Sequence, residues 1–126
     1  MNYHTPYRTP TLLDQAEQFR TAYCLETTGS AGRELQKSLI DEEWSEFHEA
    51  YHHEGDENQL KELADLVYVC FQYAASQDWD LDEAMRRVHK SNMSKLGPDG
   101  KPIYRADGKV MKSPKYTPPI LTDLVK

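Results

Sequence analysis

Asp41-Glu42-Glu43-Trp44-Ser45-Glu46 and Glu62-Leu63-Ala64-Asp65 set carboxylates in two short segments on either side of a polar turn. The apolar residues around both segments recur at three-and-four spacing, which predicts helices. On a helix, Glu43 and Glu46 share one face, as do Glu62 and Asp65. Two such helices side by side aim four carboxylates at one spot. Like charges at that range repel strongly unless a cation lies between them. An all-oxygen donor set suits a hard divalent ion: magnesium, manganese or calcium.

Working outward, the second helix is expected from about Gly32 to Tyr51, with Leu35, Leu39, Ile40, Trp44, Phe47 and Tyr51 as its apolar stripe. Glu43 and Glu46 flank that stripe. A polar turn, His53 to Asn58, precedes a third helix from about Gln59 to Gln77. Leu60, Leu63, Ala64, Leu66, Val67, Val69, Cys70, Phe71, Tyr73 and Ala74 cover most of its circumference, which predicts burial on more than one side. Glu62 and Asp65 are then charges on a buried helix, and such charges need partners or a metal. Upstream, residues 1–10 read as an irregular arm, Thr11 as an N-cap, and Leu12–Leu25 as an amphipathic helix closed by Thr27-Thr28-Gly29-Ser30. Downstream, Asp78-Trp79-Asp80 caps a fourth helix, about Leu81 to Lys95. Gly97-Pro98-Asp99-Gly100 and Ala106-Asp107-Gly108 are turn signals. Residues 102–105 and 109–112 are expected to pair as a small hairpin, before Pro118-Pro119 stiffens an extended end.

The chain has 126 residues, and a single domain is expected, with a helical core over about 12–96 and an arm over 97–126. At 38% hydrophobic and 29% charged residues the core is modest, so completion by self-association is expected. No run approaches the roughly 18 apolar residues of a membrane span. The start shows no basic-then-apolar pattern, so no signal peptide is expected. Cys24 and Cys70 fall in apolar helical patterns without CxxC spacing and read as buried free thiols of a cytoplasmic protein. The net charge of −6 argues against nucleic-acid binding. From Asp41 to Asp65 there are ten acidic residues and one basic one, Lys61; from Arg86 onward there are ten basic and three acidic. Carboxylates for a metal and cations for phosphates together suit a metal-bound polyphosphate.

There is no phosphate-binding glycine loop and no G-x-S-x-G elbow. Without a covalent nucleophile, a metal-activated water attacking phosphorus is the simplest use of the carboxylates. His48, His52 and His53 include one Glu-x-x-His, but a di-iron site needs a second on another helix. They read as solvated or packing residues. Phe19, Trp44 and Trp79 read as core.

Glu42-Glu43-x-x-Glu46, a gap of fifteen residues, then Glu62-x-x-Asp65 resembles the EExxE…ExxD signature of the all-α, MazG-like nucleoside triphosphate pyrophosphohydrolases. Relatives of that group include dimeric dUTPases and phosphoribosyl-ATP pyrophosphohydrolases. Lys90-Ser91-Asn92-Met93-Ser94-Lys95 is similar to the group's K-x-N-x-x-K element, and the tail from Gly97 to Val110 resembles short phage-type members. The resemblance spans roughly residues 12–120.

It implies an all-α, four-helix-bundle-like fold with an extended arm or small hairpin, assembled as a homodimer or a dimer of dimers. Glu43, Glu46, Glu62 and Asp65 match the metal ligands, for two or more Mg2+ ions with Mn2+ as substitute. Glu42 matches the first glutamate of the signature, and Glu42 or Glu46 is the expected proton acceptor. Asn92 and Lys95 match residues that touch the nucleotide or its phosphates, with Lys90 as their companion. Tyr104 and Tyr116 either cover a base or pack on a neighbouring subunit. The implied reaction is (d)NTP plus water to (d)NMP plus diphosphate, with purine, and guanine among purines, favoured. Two alternatives stay open: a phosphoribosyl-ATP pyrophosphohydrolase, and a non-catalytic metal-binding helical interaction module. Neither membrane nor nucleic acid is an expected partner.

Overall fold

The computed structural model describes residues 8–25 and 29–125. They form four α-helices and, among the described residues, no strand. The all-α expectation therefore holds. The chain divides into two compact units, Met1–Leu81 and Asp82–Lys126.

In the first unit, α1 spans Leu12–Ala22. Thr11 caps it as expected: its Oγ1 accepts from the Asp14 amide at 3.1 Å, and the Asp14 carboxylate accepts from the Thr11 amide at 2.8 Å. Arg8 donates to the same carboxylate at 2.7 Å and, as the largest cause, holds it below its usual pKa. The helix stops at Ala22 rather than Leu25 because Cys24 turns left-handed, with φ 55°. The Cys24 amide bonds Thr21 O and the Leu25 amide bonds Arg20 O, the double closure of a Schellman ending. Cys24 is thus exposed and outside the helix, against the buried thiol expected; Cys70 is half-buried. Glu26, Thr27 and Thr28 lie outside the described residues, as do residues 1–7 of the expected arm.

The second helix, α2, spans Gly29–His53, so Gly29 and Ser30 start it rather than break a helix. Only Glu54 and Gly55 separate it from α3, Asp56–Ser76. So short a link makes an antiparallel helical hairpin. At its far end Arg33 of α2 donates twice to the Gln77 carboxamide, at 3.1 and 2.7 Å. The helix α3 packs against both α2 and α1, and Gln72 Nε2 donates to Ala16 O at 3.3 Å. It closes as α1 does: Asp78, at φ 58°, is the left-handed residue, and the Trp79 amide reaches Ala74 O. Asp78 therefore ends α3.

Among the described residues the buried apolar side chains are few: Ala16, Ala50, Phe71 and Ala74. The expectation that α3 is buried on more than one side fails within this chain. Leu60 is 67% exposed, and Leu63, Val67 and Tyr68 are exposed beside it. Trp44, expected in the core, is 55% exposed. Within the described residues of the first unit these side chains are left largely uncovered.

The second unit holds most of α4, Leu81–Met93, and the arm. Arg87 ties the two together. It donates to Glu83 at 2.9 Å, to Ile120 O at 3.0 Å, and with both terminal nitrogens to Asp123 at 2.6 and 3.0 Å. The Ser94 hydroxyl accepts from the Thr117 amide, and the Ser113 hydroxyl donates to Leu96 O. The expected hairpin is present in reduced form, as one antiparallel bridge between Tyr104 and Val110. Gly108, at φ 91°, makes its turn. No helix among the described residues is long and apolar enough to cross a membrane.

Candidate metal centre

Register explains why the carboxylates meet. Glu46 stands eight residues before Glu54, and Glu62 seven after Gly55; for Glu43 and Asp65 the counts are eleven and ten. In an antiparallel hairpin, positions equidistant from the turn lie side by side. Glu43, Glu62 and Asp65 accordingly each offer an oxygen within 4.8 Å of the others. Glu62 is buried, at 7% exposure, while Glu43 and Asp65 are half-buried.

Glu43 Oε2 and Glu62 Oε1 are buried and make no hydrogen bond. Burial first, then the neighbouring Asp65, Glu46, Glu62 and Glu42 carboxylates, push Glu43 above its usual pKa. Burial also raises Glu62, followed by the Asp65 carboxyl beside it, with the Lys61 ammonium opposing. Crowded, desolvated carboxylates with orphaned oxygens fit a hard divalent cation, which would satisfy the orphans and offset the repulsion.

Glu42 and Glu46 are exposed on α2. Glu46 lines an acidic pocket of about 430 Å³ with Ser45, Glu49, Glu54 and Glu62, so it borders the triad through Glu62. His48 and His52 stack edge to face at 4.6 Å on the exposed side of α2.

The remaining expected residues belong to the second unit. Lys90 lines a groove of about 730 Å³ with Arg86, Arg87, Ser91, Ser94 and Thr117. Asn92 and Lys95 do not line it. Asn92 is exposed, and its carbonyl accepts from the Lys95 amide at 3.1 Å. Tyr104 is 63% exposed at the hairpin bridge. Lys112 Nζ lies 4.7 Å over the Tyr116 ring.

Two contributors escape motif reading. Lys61 Nζ stands 2.8 Å from Asp65 Oδ2 and 3.5 Å from Glu62 Oε1. Arg87 organises the second unit. In each case an i,i+4 charge pair was the available signal, Lys61–Asp65 and Glu83–Arg87.

The sequence profile described as phosphoribosyl-ATP pyrophosphohydrolase matches residues 11–92. The chain belongs to that family. The match runs from the Thr11 cap to Asn92 and so includes α1–α3, the whole carboxylate hairpin and nearly all of α4. Lys95 and the arm lie beyond it. The phosphoribosyl-ATP pyrophosphohydrolase family sits within the MazG-like all-α superfamily, and membership identifies a metal-dependent pyrophosphohydrolase of nucleoside-triphosphate-like substrates. No curated protein matches the chain.

Proposed function

We propose that the protein is a Mg2+-dependent nucleoside triphosphate pyrophosphohydrolase, converting (d)NTP and water to (d)NMP and diphosphate. The observation that carries this is the triad of buried Glu62 and half-buried Glu43 and Asp65, two of whose oxygens have no hydrogen-bond partner. With Glu46 beside them, these residues would hold one or more Mg2+ ions, for which Mn2+ can substitute. The bound ions would activate water and neutralise the charge developing on the phosphates.

The chain's own residues do the rest. Glu42 or Glu46, exposed beside the triad, accepts the proton of the attacking water. The water oxygen bonds to the α-phosphorus, the bridge to the β-phosphate breaks, and its electron pair leaves with diphosphate. Lys90, Asn92 and Lys95 bind substrate phosphates, and Tyr104 covers the base. We read the whole chain as one such domain in the cytoplasm, with purine, guanine foremost, as the preferred base. The arm, beyond the family match and similar to short phage-type members, favours a triphosphate pool as substrate.

The chain is further expected to assemble with itself. Leu12, Leu60, Leu63, Val67 and Tyr68 line an apolar groove of about 410 Å³ between α1 and α3. So much uncovered apolar surface marks an interaction site.

A second reading, phosphoribosyl-ATP as substrate, is favoured by the family match itself. Diphosphate release from a panel of (d)NTPs and phosphoribosyl-ATP, with Mg2+, separates the two. Hydrolysis of dGTP or another triphosphate is expected. Turnover of phosphoribosyl-ATP alone would establish the second reading. Hydrolysis of nothing by a folded, metal-bound protein would leave a non-catalytic helical module.

A further inference from the structure

Lys61 is the single basic residue in the acidic stretch from Asp41 to Asp65. Its ammonium sits 2.8 Å from Asp65 Oδ2 and 3.5 Å from Glu62 Oε1, the two members of the triad that α3 supplies. The protein therefore carries a cation of its own at the cluster. One positive charge offsets only part of three carboxylates, and Glu43 Oε2 still has no hydrogen-bond partner.

The Lys61 side chain is 64% exposed, so it can swing into solvent without disturbing the packing. What would hold it back is the carboxylate pair it leaves. Glu62 is buried, and its Oε1 has no hydrogen bond to fall back on. Departure of the ammonium is thus favourable only when another cation arrives. Lys37 makes a useful contrast. It forms the same i,i+4 pair, with Asp41 at 2.9 Å, but both partners are exposed and belong to no cluster.

We propose that Lys61 is a built-in counter-ion that competes with the divalent ion for Asp65 and Glu62, and so sets the ion concentration at which the site fills. This rests on the reading of the triad as a divalent-cation site. An ion entering the triad must break the Lys61–Asp65 contact and then tolerate a nearby positive charge. Both effects weaken its binding.

The test is a Mn2+ titration of the full chain without nucleotide, followed by the electron paramagnetic resonance signal of free Mn2+ near physiological salt. Lys61→Met is expected to bind Mn2+ about three- to tenfold tighter than the natural chain, a modest gain because the ammonium is solvated and mobile. Lys61→Gln should match it. Lys61→Arg, which keeps the charge, should stay within about twofold of the natural affinity, and Lys37→Met, which removes a charge outside the cluster, should do the same. Equal affinity in the natural chain, Lys61→Met and Lys61→Gln, with helical circular dichroism intact, would overturn the proposal and leave the metal site standing. Equal tightening by Lys37→Met would also overturn it, as a general charge effect. No Mn2+ binding by any of these chains would overturn the metal reading and the proposal together.

Discussion

At the scale of single residues, Glu43 and Glu62 are placed where their charge is uncomfortable. Each is held above its usual pKa, so over the range upward from 4.5 the folded chain keeps protons that the unfolded chain has lost. By linkage, these two groups withdraw stability as pH rises through that range. A divalent ion held by these carboxylates would bind their ionised forms and reverse the loss. The rise in Tm produced by Mg2+ is therefore expected to be larger at pH 8 than at pH 5. A rise that is equal at both, or larger at pH 5, would mean the ion binds elsewhere. The need for metal was legible here because Glu62 and Asp65 interrupt an apolar helix. The place of Lys61 was not, since a lone lysine among acids looks the same whether it reaches solvent or the cluster.

At the scale of elements, all four helices were legible from their three-and-four spacing, and Thr11 from its capping chemistry. Their ends were less so. Both α1 and α3 close on a left-handed residue that is not glycine, Cys24 and Asp78, and a sequence without glycine there offers no stop signal. The left-handed conformation costs an L-residue roughly 1–2 kcal/mol. Cys24→Gly should therefore stabilise the protein by about 1 kcal/mol in denaturant unfolding, less some entropy gained by the unfolded chain. Burial was the other misreading. The pattern of α3 is apolar nearly all round, and periodicity says only that such a face seeks cover, not that the same chain provides it. Leu60, Leu63 and Val67 form one such uncovered stripe. Introducing charge there, as Leu60→Glu with Leu63→Glu, should shift the sedimentation coefficient toward monomer while the helical signal stays near that of the natural chain. An unchanged assembly state would exclude this stripe from any interface.

At the scale of the whole molecule, the chain places most of its acids in one compact unit and most of its bases in the other. The carboxylate hairpin lies in residues 1–81, and Lys90, Asn92, Lys95 and Tyr104 lie in 82–126. That division was visible in the charge distribution, and the family match supports a pyrophosphohydrolase built on the acidic half. Substrate identity was not legible, because base selection depends on pocket shape and backbone groups that residue spacing does not encode. The central claim is that the hairpin carboxylates carry metal-dependent diphosphate release. Its most direct test compares Mg2+-dependent diphosphate release by the natural chain with that of Asp65→Asn and Glu46→Gln. The natural chain is expected to release diphosphate and nucleoside monophosphate in equal amounts, only with Mg2+. Both variants should lose about a hundredfold or more of that rate with helical content unchanged. Full activity in either variant would contradict the ligand set.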